Sequence, residues 1–283
     1  CICSTVECWA CLSLQINPCT LMFQLIRSVI LLFPCGLFAQ DSLQLTPPII
    51  KYHSIFFSKK TQVELAFAYP NTAIHYTLNQ EAPTIADPTY KKPILVRDNL
   101  TTIKAKVFGN GYIASDITTA TFIKEGKKIS MIHQTEPHPK YAAAGPLALF
   151  DLKGGNVDIG TNTWLGYNCD TVKIQLLLSK SERVGKLLFN FLQNENAWIF
   201  LPEEISIQWY NQQLNTYQFF GKESIESKAQ VNGANCNFKM VDAMNKVITN
   251  KFLINIVVKK KIPDWHPAKG SHAWMFIDEI KVS

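Results

Sequence analysis

The chain has 283 residues, of which 47% are apolar and 18% charged, and its formal net charge is +6. That length accommodates two ordinary domains, and the balance is that of a globular protein rather than a disordered chain or a membrane bundle. The lysines are scattered apart from Lys259-Lys260-Lys261, which excludes the dense basic stripe expected of a nucleic-acid binder.

The chain opens at Cys1, and its first methionine is Met22. From there it reads as a secretory signal: Arg27, an apolar run from Ser28 to Phe38, and Ala39-Gln40-Asp41 as the cleavage zone. The run is too short to span a bilayer, so no membrane span is expected in the mature chain. Residues 1–21 are set apart as upstream sequence and residues 1–39 as the part removed, which points to a secreted, periplasmic or cell-surface protein. Cys35 offers a lipoprotein alternative, although Phe33-Pro34 before it differs from the small residues such a site requires. Cys8-Trp9-Ala10-Cys11 has the spacing of half a zinc site, but no second half follows. Once this front end is removed only Cys169 and Cys236 remain, either as one disulfide or as two buried thiols.

Between 45 and 123 the apolar residues alternate in short runs: Val63, Leu65 and Phe67; Ile74, Tyr76 and Leu78; Ile103, Ala105 and Val107. A period of two means that each run is a strand with one buried face, and the intervening turns predict a small β-sandwich. The order Ile74-His75-Tyr76-Thr77-Leu78-Asn79-Gln80-Glu81-Ala82-Pro83-Thr84, then Tyr90, Pro93-Ile94 and Thr102 to Phe108 with Ser115 resembles the chitobiase/β-hexosaminidase C-terminal module. That resemblance implies an immunoglobulin-like spacer with no site of its own. Asn79-Gln80 stands where that module usually has Asp-Gly. The charged bridge Lys124-Glu125-Gly126-Lys127-Lys128 predicts a domain boundary.

Beyond it alternation resumes in Val172, Ile174 and Leu176; Leu187 to Leu192; Ile205, Ile207 and Trp209; and Phe252, Ile254, Ile256 and Val258. These predict a jelly-roll sandwich over 130–283 with little helix. The whole is therefore expected to be all-β, as two β-sandwiches. Three separated runs, Tyr141 to Asp151 followed by Trp164-Leu165-Gly166-Tyr167, Ala197 to Pro202, and Ile262 to Val282, resemble a coagulation factor V/VIII type C, or discoidin-like, domain of the kind appended to bacterial glycosidases. Leu152 stands where that family usually has glycine, with Gly154-Gly155 following.

No nucleophile elbow, His-Glu-x-x-His pair or phosphate-cradling glycine pattern occurs, so no enzymatic activity is expected. Asp278-Glu279 is an adjacent acid pair on a predicted strand, where neighbouring side chains point to opposite faces and cannot share a substrate. The resemblance implies one structural calcium between Asp151 and Glu279, completed by carbonyls near Ala148 and Gly154 to Asn156; the alternative is that Asp151 caps a turn. Trp198, in an apolar run, is expected in the core, and Trp209 and Trp274 are expected to pack within strands. Trp265 lies between Pro263 and Pro267 in a loop that should be exposed, where an aromatic face can stack on a pyranose. With His266 beside it, and Trp164 and Tyr167 as a second choice, it forms the expected carbohydrate site. A loop tryptophan can instead fold back as a plug, and His266 can serve as a structural hydrogen-bond partner.

These readings lead to a secreted, non-catalytic glycan-binding protein that holds a glycosidase, or a cell surface, near its carbohydrate. The alternatives are the accessory part of a glycoside hydrolase whose catalytic domain is encoded elsewhere, and an adhesion protein of the cell surface.

Overall fold

Period-two alternation over most of the chain leaves a strand as the only element that can bury one face at a time. The computed structural model describes residues 43–226, 231 and 233–283; the expected signal, the segment before it and the paired cysteines at 8 and 11 lie outside them. Fourteen strands and four short 3-10 turns occur among the described residues. The protein is all-β, built as two β-sandwiches.

The N-terminal sandwich uses β1 (Ile49–Lys51), β2 (Phe56–Phe57), β3 (Thr61–Ala66), β4 (Thr72–Thr77), β5 (Ile94–Val96), β6 (Leu100–Gly109) and β7 (Thr118–Lys124). They form a three-stranded sheet, β1-β3-β5, over a four-stranded one, β2-β7-β6-β4. Val63, Leu65, Ile74, Ile103, Ala105, Val107 and Phe122 fill the space between them. Leu78 departs from the expected inward face and is 48% exposed, because β4 ends at Thr77, whose hydroxyl donates to the Glu81 carbonyl at 2.7 Å and starts the turn. Gln80 takes the left-handed conformation there, with φ of 69°, so the turn forms without the usual glycine.

The C-terminal sandwich uses β8 (Ile129–Gln134), β9 (Leu165–Tyr167), β10 (Thr171–Gln193), β11 (Glu204–Asn211), β12 (Thr216–Ser224), β13 (Asn235–Val257) and β14 (Met275–Val282). They are joined in one sheet of order β12-β11-β13-β10-β14-β9, with β8 also on β10. Two 23-residue strands, β10 and β13, make that sheet double over. Their ladder is interrupted between Leu177 and Glu182 and again between Val184 and Lys186, and such irregularities bend a strand. The first half of β10 pairs with β8 and the second half with β14. Side chains from both halves, including Val172, Ile174, Leu176, Leu187, Phe189 and Phe191, meet in one core with Phe252, Ile254 and Ile256.

The two sandwiches share a buried contact. Leu152, Leu188 and Phe238 of the second pack against the core of the first, and the Ser54 hydroxyl donates to the Leu152 carbonyl at 3.0 Å. A Cβ on Gly155 would sit 2.0 Å from Ile55 Cδ1. Gly154 is more constrained still, with φ of 130° and space for a Cβ only 2.2 Å from the Asp278 carboxylate. Gly154→Ala is therefore expected to cost at least about 1–3 kcal/mol of stability from backbone strain alone, measured by urea denaturation; an unchanged midpoint would show that this contact yields freely.

Candidate functional site

The loop between β13 and β14 closes on itself before it presents anything to solvent. Ile262 and Ser271 are bonded across its neck (N to O, 2.9 Å), and Gly270 N donates to Ile262 O at 3.0 Å. His266 is its buried pin: Nε2 contacts the Glu195 carbonyl at 2.9 Å and Nδ1 accepts from Ala268 N at 3.0 Å. With both ring nitrogens engaged and the residue 5% exposed, His266 cannot offer itself to a sugar. The expectation that it contacts ligand is corrected to its structural alternative.

Trp265, next to this pin, is 44% exposed, and its ring centroid lies 6.3 Å from that of Phe200. The same Glu195 carbonyl also accepts from Trp198 N at 2.9 Å, so the loop carrying Trp198 and the loop carrying Trp265 are tied at one atom. Trp198 is not in the core: it is 44% exposed, at a left-handed position with φ of 64°. A residue that ends a 3-10 turn in that conformation is turned out of the apolar run to which its sequence neighbours belong. The apolar context of Ala197 to Pro202 concealed this, whereas Asn194-Glu195-Asn196 before it signalled a turn. Two half-exposed indoles thus lie on loops fastened to each other at the Glu195 carbonyl.

Trp164 and Tyr167, expected as additional sugar contacts, are 2% and 1% exposed. Trp164 packs with Leu192, Ile199 and Phe276, and its indole N–H donates to the Asn156 carbonyl at 2.8 Å. Tyr167 belongs to the main core, where burial pushes its hydroxyl pKa up. Both are scaffold: Tyr167 lies in β9, which pairs with β14, and Trp164 just before it is packed in the smaller cluster. Trp209 and Trp274 are partly buried against core clusters, as expected. Cys169 and Cys236 are free thiols; burial and the nearby Asp278 push Cys236 up to about 12.

The acid pair on β14 behaves differently from the sequence expectation. Asn190 opposes Glu279 while the next residue, Phe191, opposes Ile277, so Asp278 is the extra residue of a β-bulge. Met275, Ile277, Ile280 and Val282 point into the core, and the bulge brings Asp278 and Glu279 together on the other face, which meets the N-terminal sandwich. Both are fully buried. Asp278 Oδ2 accepts from Gly155 N at 2.7 Å and Oδ1 from Asn190 Nδ2 at 2.6 Å. Glu279 Oε1 accepts from the Lys281 ammonium at 2.5 Å, and that ammonium also lies 5.1 Å from the Phe56 ring centroid. Burial is the main cause that raises both carboxyls, Asp278 to about 7 and Glu279 to about 8.

This arrangement does not fit the calcium shell that the resemblance implied. Calcium takes six to eight oxygens. Asp151 Oδ1 accepts a hydrogen bond from Lys153 N at 2.9 Å, both Asp278 oxygens and Glu279 Oε1 already accept hydrogen bonds from protein donors, and only Glu279 Oε2 is a buried oxygen of the two β14 acids without a partner. Among the described residues no three His, Cys, Asp or Glu side chains are placed to hold a metal ion. The positive charge in the cluster comes from Lys281.

The Fn3 associated family matches residues 63–122 of the chain, and no curated protein matches it. Among solved structures it is similar to a GH29 fucosidase of Ruminococcus gnavus in complex with fucose, at 9% identity and a TM-score of 0.32, over 53% of this chain and 24% of that one. It is also similar to the family 32 carbohydrate-binding module of Clostridium perfringens NanJ in complex with galactose, at 13% identity and a TM-score of 0.35, over 54% and 91%. A pectin-binding carbohydrate-binding module gives 13% identity and a TM-score of 0.33, over 56% and 91%. The chain spans about a quarter of the fucosidase's length.

Proposed function

We propose that the chain is a secreted, non-catalytic glycan-binding protein whose C-terminal sandwich holds carbohydrate at the loops bearing Trp265 and Trp198, the N-terminal sandwich serving as spacer. The observation that carries this reading is the pair of half-exposed indoles on loops fastened at one carbonyl, that of Glu195. An aromatic ring with an open face gains energy by stacking on the apolar face of a pyranose. A ring whose loop is already ordered loses little further entropy on binding. The discoidin-like resemblance of the sequence supports the same assignment, with a glycosidase or a cell surface as the thing brought near its glycan. The acid pair Asp278 and Glu279 is sealed beneath the N-terminal sandwich, where it cannot flank a glycosidic bond.

Titration calorimetry on a glycan panel tests the reading. Trp265→Ala and Trp198→Ala should each weaken binding by about 1 kcal/mol, roughly fivefold, without lowering the melting temperature. Turnover of aryl glycosides at an ordinary enzymatic rate, on the order of 1 per second, would overturn the non-catalytic part. Glycan affinity indifferent to both substitutions would overturn the site.

A further inference from the structure

The layer β12-β11-β13-β10-β8 has a second face, opposite the one that fills the core. Cross-strand register places Phe219, Gln208, Leu253, Gln175 and His133 in one row across its five strands. In the adjoining row Tyr217 opposes Tyr210, their ring centroids 5.3 Å apart at 66°, and the Lys251 ammonium lies 5.2 Å from one ring centroid and 5.6 Å from the other.

One hydrogen bond fixes the posture of this group. Gln175 Nε2 donates to the Tyr217 hydroxyl at 3.4 Å, although β11 and β13 lie between their strands. With neighbouring strands about 4.8 Å apart, that separation is roughly 14 Å, so the phenol and the amide must both lie along the sheet rather than stand up from it. Tyr217 is half-buried, so part of its ring stays open to solvent beside the Lys251 ammonium. Amide side chains flank it, and the face carries positive charge. The carboxylate of Glu204 on this face is paired with Lys222 at 2.5 Å, whereas among the described residues neither Lys173 nor Lys251 has a carboxylate partner.

We propose that this sheet face is a second binding site, distinct from the tryptophan loops, and that it takes a chain of anionic pyranosides of the uronate class. Tyr217 supplies the stacking surface, Gln175 and Gln208 bond ring hydroxyls, and Lys173 and Lys251 meet the carboxylates. A row of five strands is roughly 19 Å long, so it suits a polymer rather than a single sugar. Interspersed amides and ammonium groups distinguish it from the contiguous apolar patch by which a protein partner is usually met.

The test uses the full chain in affinity gels containing polygalacturonate or the same polymer fully methyl-esterified, which keeps the rings and removes the charge. Retardation by the acidic polymer is expected, falling with added salt and at least fivefold weaker with the ester. Tyr217→Ala and Lys251→Gln should each weaken it by a similar factor, Tyr217→Phe should keep most of it, and Trp265→Ala should leave it unchanged. If Tyr217→Ala does not fold, Lys173→Gln at an exposed strand position gives the same reading. No retardation, equal retardation by acid and ester, or a loss confined to Trp265→Ala and Trp198→Ala would each overturn the proposal, the last by placing the polymer on the loops.

Discussion

Lys281→Met is expected to lower stability by roughly 1 kcal/mol more at pH 9 than at pH 5, because pH 9 lies about one unit above the Glu279 value of about 8 and a pH unit is worth about 1.4 kcal/mol. Methionine keeps an apolar stem against Phe56 but leaves the Glu279 carboxylate with no cation in a site where it is fully buried. At pH 5 the carboxyl takes a proton instead, so the missing charge matters less. The native protein should show the related trend. Asp278 and Glu279 have folded-state values of about 7 and about 8, above the unfolded values of roughly 3.9 and 4.3. Between the two sets of values the folded state holds more protons than the unfolded one, so the contribution of these groups is greatest at low pH, declines from about pH 4 to about pH 8 and then levels off. Asn190 and Glu279 oppose each other across the ladder, and Asn190 Oδ1 and Glu279 Oε2 are each buried without a partner. Urea denaturation of wild type and variant at pH 5, 7 and 9 measures both effects. An equal loss at every pH would show that the lysine acts through its stem and not its charge. In the same experiment chelator and added calcium should leave the wild-type midpoint in place, because the cluster carries its own ammonium.

Trp164→Ala is expected to cost about 3–5 kcal/mol, as for a large aromatic removed from a packed interior, together with the lost hydrogen bond to the Asn156 carbonyl. Trp198→Ala should change stability by less than about 1 kcal/mol, since nearly half of that residue already faces solvent. Thermal melts of the two variants side by side decide the assignment. An early melt of Trp198→Ala with a native-like Trp164→Ala would return Trp198 to the core and Trp164 to the surface.

What the sequence determined by itself was whatever depends on local period. Val172, Ile174 and Leu176, or Ile103, Ala105 and Val107, announce buried strand faces because side chains alternate with a period of two along a regular strand, and all six are buried at 0% exposure. The exposure of Trp265 was legible too, because Pro263 and Pro267 hold its segment out of any strand. The bulge on β14 was written in the spacing of Met275, Ile277, Ile280 and Val282, where one interval of three interrupts intervals of two, yet its consequence was not. Which face Asp278 and Glu279 share, and that Lys281 neutralises it, depends on a ladder with Asn190 and on a second sandwich packed over it. The same holds for Trp164 and Trp198, whose sequence surroundings suggested the reverse of their places. A single left-handed residue at the end of a turn rotates a side chain from interior to solvent, and packing against Leu192, Ile199 and Phe276 holds another inside. Composition around a residue records neither event, because both places depend in part on distant partners, as the bonds from Glu195 to His266 and from Trp274 to Trp198 and the packing of Trp164 on Phe276 illustrate.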